Sequence, residues 1–272
     1  MIRFLILAGY FEMTMYLYVS GKLDQYINLH YSYLAYLSMV LSFILAIVQL
    51  YVWVKEIRVH SHLKSKIAKL SSIGLLLIPL AIAWLFPTVV SLDSTTVAAK
   101  GYHFPLAAEN DANTQNQEGT TVQYLKPDTS IYFTKAAYQN QMREIADRYL
   151  AEETIVVTNE NYMEVMEAIY DYPTEFSGKT IEMIGFVYND PDNSQQFFLF
   201  RFGIIHCIAD SGVYGLLSTG ATTEFPNNTW VKARGKIKVS YHTSLKQNLP
   251  TLELQSIVQI EQPDSPYVYR VF

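Results

Sequence analysis

Three long apolar runs with few charges occupy the first third of the chain. The run from Tyr31 to Val54 has no charged residue, and another uncharged run extends from Leu70 to Val90. The first run, Ile2 to Ser20, is similarly long but contains Arg3 and Glu12. Because about 20 apolar residues in a helix match the hydrocarbon core of a bilayer, the pattern predicts three membrane spans at about 2–20, 31–54 and 70–90.

The pattern changes after this apolar region. Residues 91–127 are rich in Thr, Asn, Gln, Ala and Asp and have no apolar period, so they are predicted to be a polar linker. Between 128 and 175, apolar residues recur at helical spacing from Tyr138 to Tyr149 and from Tyr162 to Tyr170, on either side of a short strand at Thr154–Thr158. This segment is predicted to be a small α/β subdomain.

Residues 176–272 contain short β-rich runs separated by turn signals. Gly185, Gly203 and Gly235 lie inside these runs, where glycines often mark bulges. Five antiparallel strands that close an OB-like β-barrel are predicted. The predicted fold class is therefore a membrane α-helical anchor of about three transmembrane helices, followed by an α+β soluble domain that ends in this barrel. Fold alone does not give function, because such barrels bind nucleic acid, sugars, proteins or nothing.

Charge is divided unevenly along the chain. Residues 1–90 carry a net charge of +4 and residues 91–272 a net charge of −9, which together give the −5 of the whole chain. An acidic domain repels phosphate backbones, so nucleic acid is excluded as the expected partner. The single cysteine excludes an intrachain disulfide, but a domain of this size needs none to fold outside the cytoplasm.

The loop at 55–69 sets the predicted orientation. It contains five Lys and Arg against one Glu, and such loops stay on the cytoplasmic side of a membrane. This places the N-terminus inside and the domain after Val90 outside, in a multi-pass protein of the cell membrane. The first run is interpreted as a retained helix, since no small-residue cleavage site of a signal peptide closes it.

Glu12 is the one acidic residue expected within the bilayer, where ionised groups are rare and usually have a partner. Nine residues separate it from Arg3, which puts the two on opposite faces of one helix and prevents them from pairing. Two interpretations remain open. Glu12 either faces another helix or subunit along a transport path, or is a protonated carboxyl bonded to a neighbouring backbone or Tyr.

His206, Cys207 and Asp210 are candidate metal or solute ligands, since a cysteine beside a histidine suits Zn(II) or Cu(I). However, adjacent side chains on a strand point to opposite faces. Asp210 could instead cap a turn, and Cys207 could be a small core residue. Arg201 is a charge in an apolar strand that could either snorkel to the surface or pair with an acid such as Asp210. A metal ion here is the one cofactor considered, and none is otherwise predicted.

Several segments carry a resemblance that covers nearly the whole chain. GKLDQYI, LAIVQL, NENYMEVMEAIYDYPTEFSGKTIEMIGFVY, RFGIIHCIADSGVYGLL and WVKARGKI resemble the bacterial YcgQ-like family of permease subunits. Its central motif is an Arg, a β run, two cysteines and Ala-Asp-Ala. Arg201, Cys207, Ala209 and Asp210 match it, whereas His206 replaces the first cysteine and Ser211 the last alanine. The resemblance implies a subunit beside a separate polytopic permease, in a class sometimes linked to metals or metalloids.

The function predicted is an accessory subunit of a two-component membrane permease, whose OB-like domain presents or guards a solute outside the cell. Three helices are too few to enclose an ordinary alternating-access path, so a partner is implied. An enzyme is not expected, because no phosphate loop, HExxH motif or nucleophile elbow is present. The alternative is an envelope structural or sensory protein whose barrel binds a protein, a wall polymer or a metal without transport.

Overall fold

The computed structural model describes residues 1–57, 63, 65–85, 92–101, 135–221 and 224–270. The chain divides into two compact units, Met1–Ser91 and Leu92–Phe272.

The N-terminal unit contains three helices, α1 (Ile2–Val19), α2 (Ser32–Val54) and α3 (Lys66–Leu85). Each is long and apolar enough to cross a membrane, which confirms the predicted membrane anchor. The third span was predicted over 70–90, but α3 begins four residues earlier, and residues 86–90 lie outside the described part. Most side chains of the three helices face outwards, as expected for helices surrounded by lipid.

The first helix joins the other two. The Tyr10 hydroxyl donates a hydrogen bond to the Leu76 carbonyl at 2.9 Å, and a Cβ on Gly9 would lie only 3.1 Å from a methyl carbon of Leu80. The rings of Phe11 and Phe43 contact at 5.1 Å. Small residues that let helices approach are typical of packing within membranes. Helix α1 therefore packs between α2 and α3.

The described part of the C-terminal unit contains the helices α4 (Ser94–Lys100), α5 (Lys135–Leu150), α6 (Tyr162–Asp171) and α7 (Pro173–Phe176). Helices α5 and α6 follow the predicted apolar stripes. Helix α7 begins at Pro173, beyond both stripes, and α4 lies in the segment predicted to be a polar linker. The Asp93 carboxylate caps the first turn of α4, and Val97 is buried in the core of this unit.

The strands of the described residues are β1 (Thr154–Val156), β2 (Thr180–Asn189), β3 (Gln196–Ile204), β4 (Gly212–Thr219), β5 (Trp230–His242), β6 (Gln247–Gln259) and β7 (Tyr267–Tyr269). Strands β2, β3 and β4 pair as an antiparallel meander, and β5 pairs antiparallel with β2 and β6. The barrel closes through β4 and β6, which run parallel at Leu217–Thr219 and Thr251–Glu253. The five-strand OB-like barrel is confirmed, although it is mixed rather than wholly antiparallel.

Two glycines allow close approach of strands in this barrel. The register of β5 against β6 shifts between Arg234 and Gly235, which confirms a bulge at that glycine. A Cβ on Gly235 would lie 2.3 Å from the Glu253 carbonyl oxygen, and one on Gly215 would lie 1.9 Å from that of Leu199. Neither position can hold a side chain without moving backbone.

Candidate functional site

The barrel face on which OB folds usually bind ligands is closed in this chain. OB barrels bind oligonucleotides and sugars across their second and third strands, which here are β3 and β4. The side chains of both strands are buried on both faces along almost their whole length. Helix α6 is attached to β4, because the hydroxyls of Tyr162 and Tyr170 donate to the carbonyls of Tyr214 and Gly215. A ligand of this barrel would have to bind elsewhere.

Arg201 is buried on β3, with 2% of the residue exposed. Its guanidinium donates to the side-chain oxygen of Asn159 at 2.5 Å and to the carbonyls of Ser265 and Tyr267 at 2.5 and 3.2 Å. Burial lowers its pKa. The suggested pair with Asp210 is wrong, because these partners are neutral groups. Arg201 instead ties β3 to the chain around β7.

The structure brings His206 and Asp210 together at the turn after β3. His206 Nδ1 lies 2.7 Å from the Asp210 carboxylate, which also accepts the backbone amides of His206 and Cys207, both at 3.0 Å. Asp210 therefore caps the short turn Ile208–Asp210, one of the roles suggested for it. Cys207 is half-buried where this turn begins. Within the described ranges, no group of three or more His, Cys, Asp or Glu is placed to hold a metal ion.

A buried carboxylate in α6 was missed by the sequence reasoning. Glu167 is 5% exposed, and its Oε1 lies 3.5 Å from the Arg270 guanidinium. Burial, together with the nearby charges of Asp171 and Glu164, raises the pKa of Glu167 to about 7, against the weaker lowering effect of Arg270. The available signal was its position, one turn after Met163 on the apolar face of the helix.

A second buried ionisable pair, also missed, joins two turns at one end of the barrel. His242 Nε2 lies 2.9 Å from the Asp190 carboxylate, and both side chains are at most 4% exposed. The Leu245 amide donates to His242 Nδ1 at 3.2 Å, so Nδ1 is the acceptor and Nε2 carries the proton donated to Asp190. The pair fixes the β2–β3 turn against the β5–β6 turn.

Replacing this histidine tests its structural role. His242→Ala removes the donor to a buried carboxylate, so we expect the C-terminal unit to lose about 2 kcal/mol of stability. Thermal unfolding of the full-length protein in detergent measures this loss, and hydrogen exchange in β5 and β6 shows whether the loss is local to these strands. Tyr241→Ala is the matched control, since the neighbouring Tyr241 is 62% exposed. Equal effects of the two variants would contradict the role given to the pair.

Glu12 lies on the outer face of α1, exposed, with Leu5, Met15 and Tyr16 on the same side. Arg3 instead lines a groove inside the helical unit, as the half-turn separation of the two residues requires. Across residues 1–57, 63 and 65–85, Glu12 makes no hydrogen bond or ion pair. The bond to a neighbouring backbone or Tyr is therefore not formed within the described part of this unit.

Two domain families match the chain, in the same order as the two units. The DUF1980 N-terminal domain matches residues 2–103, and the DUF1980 C-terminal domain matches residues 132–270. A Streptococcus mutans protein called "Putative two-component membrane permease complex subunit" is 60% identical over 272 residues, covering all of both chains. The Bacillus subtilis "UPF0703 protein YcgQ" is 35% identical over 297 residues, again covering all of both chains.

Proposed function

We propose a function from the premise that this chain belongs to the DUF1980 family, which confirms its resemblance to the YcgQ-like proteins. On that premise, the chain is a membrane-bound subunit of a two-component permease complex. The name of the full-length Streptococcus mutans relative supports this function, and it describes a permease subunit rather than an enzyme.

The outward position of Glu12 is the structural observation that carries the proposal. An acidic side chain near the centre of a membrane helix is costly in lipid and normally faces a partner or a water-filled cavity. Because Glu12 points away from α2 and α3, a surface outside this unit has to cover it. A polytopic permease that packs on this face of α1 provides such a surface and supplies the helices that three spans lack.

The OB-like domain is proposed to lie outside the cell and to present or guard the solute at the outer mouth of the permease. The basic loop at 55–69 supports this orientation. Since the usual binding face of the barrel is buried, the domain acts through its remaining surface.

A reporter fused after Phe272 tests this orientation. Because the loop with five basic residues holds its end of the helices inside, we expect a fused alkaline phosphatase to be active and a fused green fluorescent protein to be dark after export. A fusion after Lys64, in the basic loop, is the matched control and should give the opposite pattern. Fluorescence from the Phe272 fusion would reverse the topology.

A metal ion held by His206, Cys207 and Asp210 stays a prediction, in line with a metal or metalloid solute. If the three share an ion, full-length protein purified without chelator should contain near-stoichiometric metal, and Cys207→Ala should lose it because a thiolate ligand is gone. Ser211→Ala is the neighbouring control. Metal-free wild-type protein would leave Asp210 with its capping role alone.

Affinity purification tests the proposed function directly. Full-length protein, tagged and extracted from its native membrane in mild detergent, should bring a polytopic membrane protein with it in stoichiometric amount. A deletion strain should then lose transport of a specific solute. Recovery of the chain alone, or with envelope proteins and no permease, would refute the permease function and favour the envelope structural or sensory alternative.

A further inference from the structure

A groove of about 940 Å³ runs between α1, α2 and α3 of the N-terminal unit. Its volume lies near the upper end of the range for small-molecule pockets, roughly 300 to 1,000 Å³. One face of α2 supplies most of its body through residues at helical spacing, among them Leu34, Leu37, Leu41 and Leu45. These leucines are about half exposed because α3 does not cover them. The body of the groove is therefore mostly apolar, with Ser38, Ser42 and Gln49 of α2 among the leucines, and it is accessible from the membrane.

One end of the groove is cationic. Arg3 lies at the start of α1 and Lys69 in the first turn of α3, and both line the groove. Helices α1 and α3 begin on the same side of the membrane, because α2 crosses back between them. Among the described residues, the groove lining contains no acidic side chain, and neither cation forms an ion pair. Two unneutralised cations thus mark the end of the groove at the depth of lipid headgroups.

We propose that this groove binds an anionic phospholipid, with its phosphate at Arg3 and Lys69 and an acyl chain along the leucines of α2. Basic pockets between membrane helices are suited to anionic headgroups, and each basic residue adds to the attraction. An arginine also matches phosphate geometry through two parallel hydrogen bonds.

A helix of a partner protein is the competing occupant. Such a helix would need an acidic side chain at the one end where the two cations lie. An anionic phospholipid carries its negative charge in the headgroup, at the end of its acyl chains, which matches this arrangement. The apolar groove body also has the linear form of an acyl chain. Charge complementarity at one end and an apolar body together favour the lipid.

This inference goes beyond the proposed function and does not depend on it, because the site belongs to the isolated subunit. A failure of lipid binding leaves the permease partnership untouched. Absence of a permease partner, in turn, leaves the groove and its cations as they are. The result of the lipid-binding experiment is therefore independent of the result of the affinity purification.

The test uses the full-length subunit reconstituted in vesicles of equal parts phosphatidylglycerol and phosphatidylcholine. After extraction in mild detergent, native mass spectrometry counts the retained lipids. We expect wild-type protein to retain phosphatidylglycerol over phosphatidylcholine by about tenfold. The double variant Arg3→Gln/Lys69→Gln should abolish this preference. Lys66→Gln should keep it, since Lys66 also lies in the first turn of α3 but outside the groove.

A second variant separates shape from charge. Ser72→Trp places a large side chain in the groove without changing its charge, and it should reduce the retained phosphatidylglycerol several-fold. Equal retention of the two lipids by the wild type would overturn the proposal. So would a preference that survives in both the double variant and Ser72→Trp, because the lipid would then bind outside this groove.

Discussion

Glu167→Gln is expected to remove about 3 kcal/mol of pH dependence from the stability of the C-terminal unit. The pKa of the Glu167 carboxyl is about 7 in the folded protein, against 4.5 when it is unperturbed. Each unit of difference corresponds to about 1.4 kcal/mol, which gives the expected size. This carboxyl is almost fully buried, so solvent screens the effect little.

The direction of the effect follows from which state binds the proton more tightly. The folded state does, because burial disfavours the charged carboxylate. Below about pH 4.5 the carboxyl is protonated in both states and burial carries no charge penalty. As the pH rises from there through about 7, the unfolded state ionises first and the free energy of unfolding falls. Above pH 7 the full penalty is present. The unit is therefore destabilised by this group on the alkaline side.

This dependence is measured by unfolding the full-length protein in denaturant at a series of pH values, with hydrogen exchange in α6 as the probe of unfolding. Glutamine has the same shape without the charge, so the variant should show a flatter profile and gain stability above pH 7. Glu144→Gln is the control, since Glu144 is exposed on α5 and is not among the charges that shift the pKa of Glu167. An unchanged slope in Glu167→Gln would show that Arg270 neutralises this carboxylate after all.

Local patterns in the sequence were sufficient for most of the elements. The β-rich runs of residues 176–272 predicted the barrel strands, and the apolar stripes predicted α5 and α6. The parallel pairing of β4 with β6 could not be seen in this way, because alternation gives a strand its faces but not its neighbour. The short β7 was also missed, since its three residues are too few to show a period.

The candidate site shows the same division between local and distant information. Asp210 lies within four residues of both groups it binds, so its capping role could be suggested from the sequence. The partners of Arg201 lie 42 to 66 residues away and are mostly backbone carbonyls, which leave no mark in a sequence. Glu167 was hidden because an acidic residue within an apolar stripe is ordinarily assigned to the solvent side.

The face of Glu12 could be derived from helical geometry alone, relative to Arg3. The structure adds that the Arg3 side lines an internal groove and the Glu12 side is the outside of the unit. Under the proposed function a second protein covers Glu12, and one sequence carries no direct information about that protein. This residue is therefore the most informative place to test the partnership.

Glu12→Leu is expected to weaken binding of the proposed permease partner by about a hundredfold. An unpartnered acid at the centre of a membrane helix costs about 3 kcal/mol in lipid, and Glu12 lies near the middle of α1. In the proposed complex, the partner satisfies this side chain, so part of the binding energy comes from removing it from lipid. Leucine has no such cost in lipid, so the variant loses this part of the binding energy. About 2.7 kcal/mol corresponds to a hundredfold change in affinity.

Quantitative mass spectrometry of the partner retained by the tagged subunit, over a series of detergent strengths, measures this loss. Glu12→Gln should lie between wild type and Glu12→Leu, because the amide still forms hydrogen bonds. Met15→Leu is the matched control, since Met15 lies on the same face and is 45% exposed. The isolated Glu12→Leu subunit should insert at least as well as the wild type, which separates lost binding from lost folding. Full retention of the partner by Glu12→Leu would mean that the permease contacts another face of the helices and that Glu12 is not part of that interface.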